Sequence, residues 1–469
     1  MTRPLWKGEA LPGATGGHVS GSSATPPDVA SVTFDTREIA GGDLFVALQG
    51  ARDGHDFVPE AFAKGAAVAL VSREIAGAGP QIVVDDTLAA LNRLGAAARD
   101  RSSAKRAAIT GSVGKTSVTQ AVMAGLKRAG RAHGAVKSFN NHIGVPTTLA
   151  RMPEDTERAV FEIGMNHARE IEPLSRLVQP HVATVTTVGP VHVENFPDGE
   201  AGVAKAKAEI FAGLTPGGTA VLPLKSRWHK DLAKAALDAG AGRVVTFGER
   251  EGADARLVRF GFGAQGAVVT ARVHGREIEL PIRQTGAHWG PNSLAVLLTL
   301  EAMDVPLETA AAALAEFDPL AGRGAEAVLA LPQGEVRLVD ESYNANPLSM
   351  AAALKSLGRR ETSGRKVVVL TDMLELGREA PAYHAAVAEQ AADAGVDLVF
   401  CAGPQMHALW ERLPRERRGG YAQEAVGLVE PLLASLRDGD VVMVKGSNGS
   451  RAGAVAQALR DAASGGKDG

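Results

Sequence analysis

The chain has 469 residues, enough at the usual ~100 to 200 per domain for about three domains, each able to bury its own core. With 45% hydrophobic and 22% charged residues it has the composition of a folded globular protein, which excludes general disorder and fibrous repeats. Its 50 Lys and Arg against 53 Asp and Glu give a formal charge of −3. No whole-chain field is available to grip a nucleic acid or an anionic membrane, so any anion must be held locally.

The single cysteine, Cys401, excludes an internal disulfide and a thiolate metal site and suits a reducing compartment. The first 21 residues are interrupted by Pro4, Glu9 and Pro12 and carry no apolar signal segment. No stretch reaches the ~18 uninterrupted apolar residues of a membrane span. A cytoplasmic chain without membrane insertion is the expectation.

Taken in order, short Val- and Ile-rich runs at 67–71, 81–84, 106–110, 159–163, 182–188, 366–370, 398–401 and 440–444 read as buried strands. Between them, Ala-rich periodic segments at 88–99, 117–129, 292–302, 307–316, 347–357 and 382–394 read as helices. This alternation predicts an α/β fold with mostly parallel sheets and crossover helices. Short alternating segments with glycines at 256–280 predict a β-rich insertion. The charged segment 99–105 and the Pro- and Gly-containing stretch 318–324 suggest boundaries giving domains 1–104, 105–325 and 326–469.

The strongest local signal is Thr110-Gly111-Ser112-Val113-Gly114-Lys115-Thr116-Ser117, between a predicted strand and a predicted helix. Gly111 and Gly114 let backbone N–H groups turn toward an anion, an exposed Lys115 supplies charge for the β- and γ-phosphates, and the Thr116 hydroxyl suits Mg²⁺. The common eight-residue phosphate loop needs glycine where Ile109 stands, so this loop is a shortened relative. By itself it does not separate a kinase, a hydrolase, a ligase or a switch protein.

Three more segments narrow the choice: Ser138-Phe139-Asn140-Asn141-His142-Ile143-Gly144-Val145-Pro146, Phe161-Glu162-Ile163-Gly164-Met165-Asn166 and Ala204-Lys205-Ala206-Lys207-Ala208-Glu209-Ile210-Phe211. With the shortened loop they resemble the ATP-dependent Mur ligases of peptidoglycan precursor synthesis. Asp340-Glu341-Ser342-Tyr343-Asn344-Ala345-Asn346-Pro347 and Asp372-Met373-Leu374-Glu375-Leu376-Gly377 resemble the branch of that family that adds a dipeptide. Asp35-Thr36-Arg37, with Asp53-Gly54-His55-Asp56-Phe57, is similar to the family's nucleotide-sugar domain.

The resemblance implies three α/β domains: an N-terminal UDP-sugar domain, a central phosphate-loop ATPase domain with a mostly parallel sheet, and a C-terminal Rossmann-like domain. It also implies an ATP-dependent amide ligase, acting as a monomer, that joins D-alanyl-D-alanine to UDP-N-acetylmuramoyl-tripeptide through an acyl phosphate. On this basis ATP contacts are expected from Gly111 to Ser117, His288, Asn292, Arg323 and Glu341, with Asp340 an alternative to Glu341. Substrate contacts are expected from Asp35, Thr36, Arg37, Asn140, Asn141, Tyr343, Asn344 and Asn346. Two Mg²⁺ ions are implied at Thr116, Glu162, His192 and Lys207, the last as a carbamate; Lys115 completes the catalytic set. Lys205 and Lys207 are two apart on a predicted helix and point different ways. A sister ligase that adds an amino acid, a folylpolyglutamate-type ligase and a nucleotide-dependent regulatory protein remain alternatives. The third residue of the acceptor peptide, diaminopimelate or lysine, is not legible in the sequence.

Overall fold

The computed structural model describes residues 3–20, 25–135, 138–263 and 266–464. Three sheets follow one another along the chain. The first has five strands in the order His18–Ser20, Gln81–Val83, Val68–Val71, Asp43–Val46 and Ser31–Thr33, parallel except at the edge pair His18–Ser20 with Gln81–Val83. The second has nine, in the order Arg276–Ile282, Gly266–Val273, Ala255–Gly263, Arg243–Gly248, Thr219–Pro223, Val182–Val185, Lys105–Thr110, Arg158–Glu162 and Ala132–Gly134. Seven of its strands are parallel, and the expected β-rich insertion forms the antiparallel end. The third has six, Ala325–Leu331, Gly334–Glu341, Val441–Lys445, Lys366–Thr371, Leu398–Ala402 and Arg418–Ala422, with only the first pair antiparallel.

The continuous apolar runs follow from burial on both faces. In Lys105–Thr110, Ala107 and Ile109 enter one core with Val118, Val122 and Leu126 of the helix Lys115–Ala129, while Ala108 enters the opposite core with Phe161 and Val185. In Lys366–Thr371, Val368 and Leu370 face one core, Val367 and Val369 the other. Each of the buried Val, Leu, Ile and Phe side chains contributes about 1.5–3 kcal/mol by leaving water, and alanine less. A strand buried twice therefore loses the alternation that a half-exposed strand would show. Among the described residues no helix is long and apolar enough to cross a membrane.

Most element bounds fall within one or two residues of expectation, and two differ by three. The strand expected over 182–188 ends at Val185, the partner of Thr110, because the neighbouring strand turns at Gly111 into the phosphate loop, which Thr186 and Thr187 then bond. The helix expected at 292–302 begins at Trp289, one turn earlier, despite Gly290 and Pro291. Proline is tolerated there, since first-turn N–H groups have no helical partner.

Candidate functional site

At the C-terminal end of Lys105–Thr110 the backbone turns through Gly111 (φ 150°) and Gly114 (φ 85°) before the helix Lys115–Ala129 begins. A Cβ on Gly111 would lie 1.9 Å from Thr186 Oγ1, so this position requires glycine for space as well as for its angle. The loop is held from behind. The Ser112 N–H donates to the Thr187 carbonyl (2.9 Å) and Val113 N–H to Thr187 Oγ1 (3.0 Å), while Ser112 Oγ donates to the Gly189 carbonyl (3.0 Å). Lys115 is half-buried rather than exposed; its Nζ donates to Gly111 O (2.8 Å), and burial pulls its pKa down, partly opposed by Glu162. A preorganised loop of this kind at a helix N-terminus is built for phosphate.

The loop forms one wall of a cleft of about 250 Å³ whose opposite wall comes from the third sheet and the segment leading into it. Arg323, between Gly322 (φ 69°) and Gly324 (φ 92°), donates through Nη2 to Thr116 Oγ1 (3.0 Å) and stacks its guanidinium 3.8 Å from the Tyr343 ring centroid. Tyr343 Oη donates to Ser138 Oγ (3.2 Å), which is also 3.2 Å from Thr116 Oγ1. The phosphate loop, the Ser138 segment and the Tyr343 segment therefore meet in one polar chain. His288 and Asn292 line the same cleft at the start of the helix Trp289–Ala302.

Glu341 lines the cleft too, whereas its alternative Asp340 faces away, accepting from Ser342 and Arg460. Alternation along the strand separates the two carboxylates. Asn344 and Asn346 also line the cleft, and Asn346 caps the helix Pro347–Gly358 by accepting from Ser349 N–H (2.9 Å). One residue thus serves both turn and wall. Lys445 is buried beneath Asn344, donating to its carbonyl (3.0 Å) with Glu341 3.5 Å away.

Glu162 terminates its strand 3% exposed and on the cleft wall. Among the described residues one hydrogen bond reaches its carboxylate, from Asn140 Nδ2 to Oε1 (2.7 Å). Thr116 and Glu162 are hard oxygen donors facing the same space, as Mg²⁺ prefers. No group of three or more His, Cys, Asp and Glu side chains suited to a metal occurs among the described residues. Thr116 and Glu162 would hold such an ion only together with phosphate oxygens and water.

Lys207 and His192 do not line the cleft, but the charge of Lys115 reaches both. Lys207 is 2% exposed, and no hydrogen bond or ion pair reaches its Nζ among the described residues. Burial, reinforced by Lys115, holds its pKa well below that of an ordinary lysine. Lys205 points the other way, its side chain 77% exposed and paired with Asp198 at 3.1 Å. His192, in the left-handed region (φ 56°), has Nδ1 2.6 Å from Glu375 Oε2, within ion-pair distance.

Asn141 opens on a second cavity, and Asp35, Thr36 and Arg37 lie away from the cleft. There Asp35 caps Thr36–Glu38 and Arg37 forks onto Asp35 (2.6 Å). Sequence reasoning missed Ser138, Glu375 and Thr187 as site-forming groups. Ser138 and Glu375 stand inside recognised segments, but only the folded chain shows what they touch.

Three family descriptions match in chain order: the Mur ligase family catalytic domain at 28–104, the Mur ligase middle domain at 109–300, and the Mur ligase glutamate ligase domain at 328–448. The UDP-N-acetylmuramoyl-tripeptide–D-alanyl-D-alanine ligase of Escherichia coli (strain K12) is 35% identical over 92% of this chain and 94% of its own length. A crystal structure of MurF from Acinetobacter baumannii superposes with a TM-score of 0.86 at 28% identity, covering 98% of this chain and 100% of that one. The MurF ligase of Thermotoga maritima, solved in complex with ADP, shares the fold at 23% identity, with a TM-score of 0.78 over 93% of this chain and 98% of that one. The chain belongs to the Mur ligase family, in its UDP-N-acetylmuramoyl-tripeptide–D-alanyl-D-alanine ligase branch.

Proposed function

We propose that this chain joins D-alanyl-D-alanine to UDP-N-acetylmuramoyl-tripeptide, converting ATP to ADP and phosphate and yielding the pentapeptide nucleotide of peptidoglycan synthesis. The observation that carries this reading is the shared cleft, where Tyr343, Asn344 and Asn346 face Lys115 and Thr116. The tripeptide's terminal carboxylate attacks the γ-phosphorus and ADP leaves; the dipeptide amine then attacks the acyl carbon and phosphate leaves. Both partners of the first step are anionic, so positioning and positive charge supply most of the rate.

In this reading Gly111, Ser112, Val113, Gly114 and Ser117 cradle the phosphates with Lys115, and Arg323 bridges them from the other wall. His288, Asn292 and Glu341 take the nucleoside. Asn140 and Asn141 orient the tripeptide, Tyr343, Asn344 and Asn346 the dipeptide, and Asp35, Thr36 and Arg37 the nucleotide-sugar end. Thr116, Glu162, His192 and Lys207 would hold Mg²⁺, two ions in all, which neutralises phosphate charge when bound. The buried, unpartnered Lys207 favours its neutral amine, the form that combines with CO₂ to give a carbamate anion. We assign these tasks to domains 1–104, 105–325 and 326–469 of a cytoplasmic monomer.

The test is phosphate release from ATP. Release should require both the UDP-muramoyl tripeptide and D-Ala-D-Ala, with free amino acids poor substitutes. Turnover with L-lysine or diaminopimelate but not with D-Ala-D-Ala would overturn the assignment.

A further inference from the structure

A second cavity, about 450 Å³, lies beside the nucleotide cleft between the helix Thr87–Asp100, which contributes Leu88 and Asn92, and the segment from Gly164 to Leu174. Asn140 lines both spaces. Its side chain donates to Glu162, and its carbonyl accepts from Gly164 N–H (2.8 Å), so the partition is one residue thick. In the ligase reading, on which this inference rests, the phosphorylated carboxylate belongs to the third peptide residue. The remainder of that residue must then lie just beyond Asn140.

Two charged neighbours line that space. Arg169 has φ 67°, a conformation that costs a non-glycine residue, and it is fixed there because Glu209 accepts the Arg169 N–H (2.7 Å) together with those of Ile171 and Glu172 (both 3.2 Å). Its guanidinium has no ion pair or hydrogen bond among the described residues. Glu170 is anchored by Asn166 N–H (2.7 Å) and lies 3.1 Å from His167 Nδ1, with lone pairs to spare. Both side chains are exposed, and the left-handed turn at Arg169 holds the cation beside the anion where both line this cavity.

We infer that this cavity receives the distal head of the third peptide residue, and that Arg169 selects a diamino dicarboxylic residue over lysine. The head of such a residue carries an ammonium and a carboxylate: Glu170 meets the first, and the Arg169 fork meets the second. A lysine side chain ends in an ammonium alone and leaves Arg169 unpaired.

The experiment compares phosphate release by the full chain with ATP, Mg²⁺ and D-Ala-D-Ala on two tripeptide nucleotides, one ending in meso-diaminopimelate and one in L-lysine. Wild type should favour the first by about tenfold or more in kcat/KM, the range of a charge-assisted hydrogen bond. Arg169→Ala should remove that preference by lowering kcat/KM for the diaminopimelate substrate alone. Arg169→Gly, which also relieves the backbone strain, should do the same and so assign the effect to the guanidinium. Equal use of both substrates by wild type, a preference for lysine, or an equal loss on both substrates in the variants would overturn the inference. Release with neither tripeptide would instead remove the ligase reading beneath it.

Discussion

Replacing Arg323 with alanine tests whether the two walls of the cleft act on one nucleotide. Arg323 touches both, at 3.0 Å from Thr116 Oγ1 and 3.8 Å from the Tyr343 ring. Its cation–π contact is worth about 0.5–2 kcal/mol. A charge-assisted hydrogen bond to a phosphate oxygen would add about 1.5–3 kcal/mol. The stacking is made with and without nucleotide and holds the side chain in place, so only the phosphate bond counts toward the transition state, and kcat/KM should fall by about 10-fold to 150-fold. Lysine keeps the charge but neither the fork nor the flat stacking surface, so Arg323→Lys should fall between wild type and alanine. Steady-state phosphate release measures the loss, and thermal unfolding should move little, because the side chain is half-buried on a connecting segment. An Arg323→Ala enzyme within threefold of wild type would refute the two-wall site.

Lys115→Ala should cut kcat by about 100-fold or more with an unchanged circular dichroism spectrum, since the side chain faces the cleft rather than a core; near-wild-type turnover would remove the phosphate-loop argument. With carbon-13 bicarbonate, NMR should show a carbamate signal that is lost in Lys207→Ala and kept in Lys205→Ala; an absent signal, with Lys207→Ala fully active at low Mg²⁺, would end the carbamate proposal. Burial lowers the His133 pKa from 6.5 to about 4, so the unfolded chain binds the extra proton between those values. Stability should therefore fall as pH drops from about 6.5 toward 4, by at most about 3 kcal/mol from this group. His133→Gln should flatten that part of a denaturant-midpoint profile, and an unaltered slope would assign the acid sensitivity elsewhere.

Much of the site is legible in the sequence because its chemistry is local. Gly111 and Gly114 bend the chain, Lys115 and Thr116 follow at the helix start, and Glu162 closes a run of apolar residues; each signal lies within a few positions. The opposite orientations of Lys205 and Lys207 follow from helical geometry alone, as their exposures confirm. What is not legible depends on long-range closure. Ser138 reads as an ordinary loop serine until Thr116 and Tyr343 arrive on either side of it. The end of the strand at Val185 is invisible in a run that stays β-branched, because it is set more than 70 residues earlier, where the partner strand turns at Gly111 into the loop that Thr186 and Thr187 bond. The tertiary environment overrides β-propensity there. Glu375 likewise stands in a recognised segment, yet its approach to His192 joins the second and third sheets' connections.

The central claim is that a substrate carboxylate, not water, attacks the γ-phosphate in this cleft. Isotope transfer tests it most directly. With UDP-muramoyl tripeptide labelled with oxygen-18 in its terminal carboxylate, ATP, Mg²⁺ and D-Ala-D-Ala, the released phosphate should carry one labelled oxygen, because the amine expels phosphate together with the carboxylate oxygen that attacked. Unlabelled phosphate released in step with turnover would contradict the acyl phosphate route and the arrangement of the cleft proposed for it.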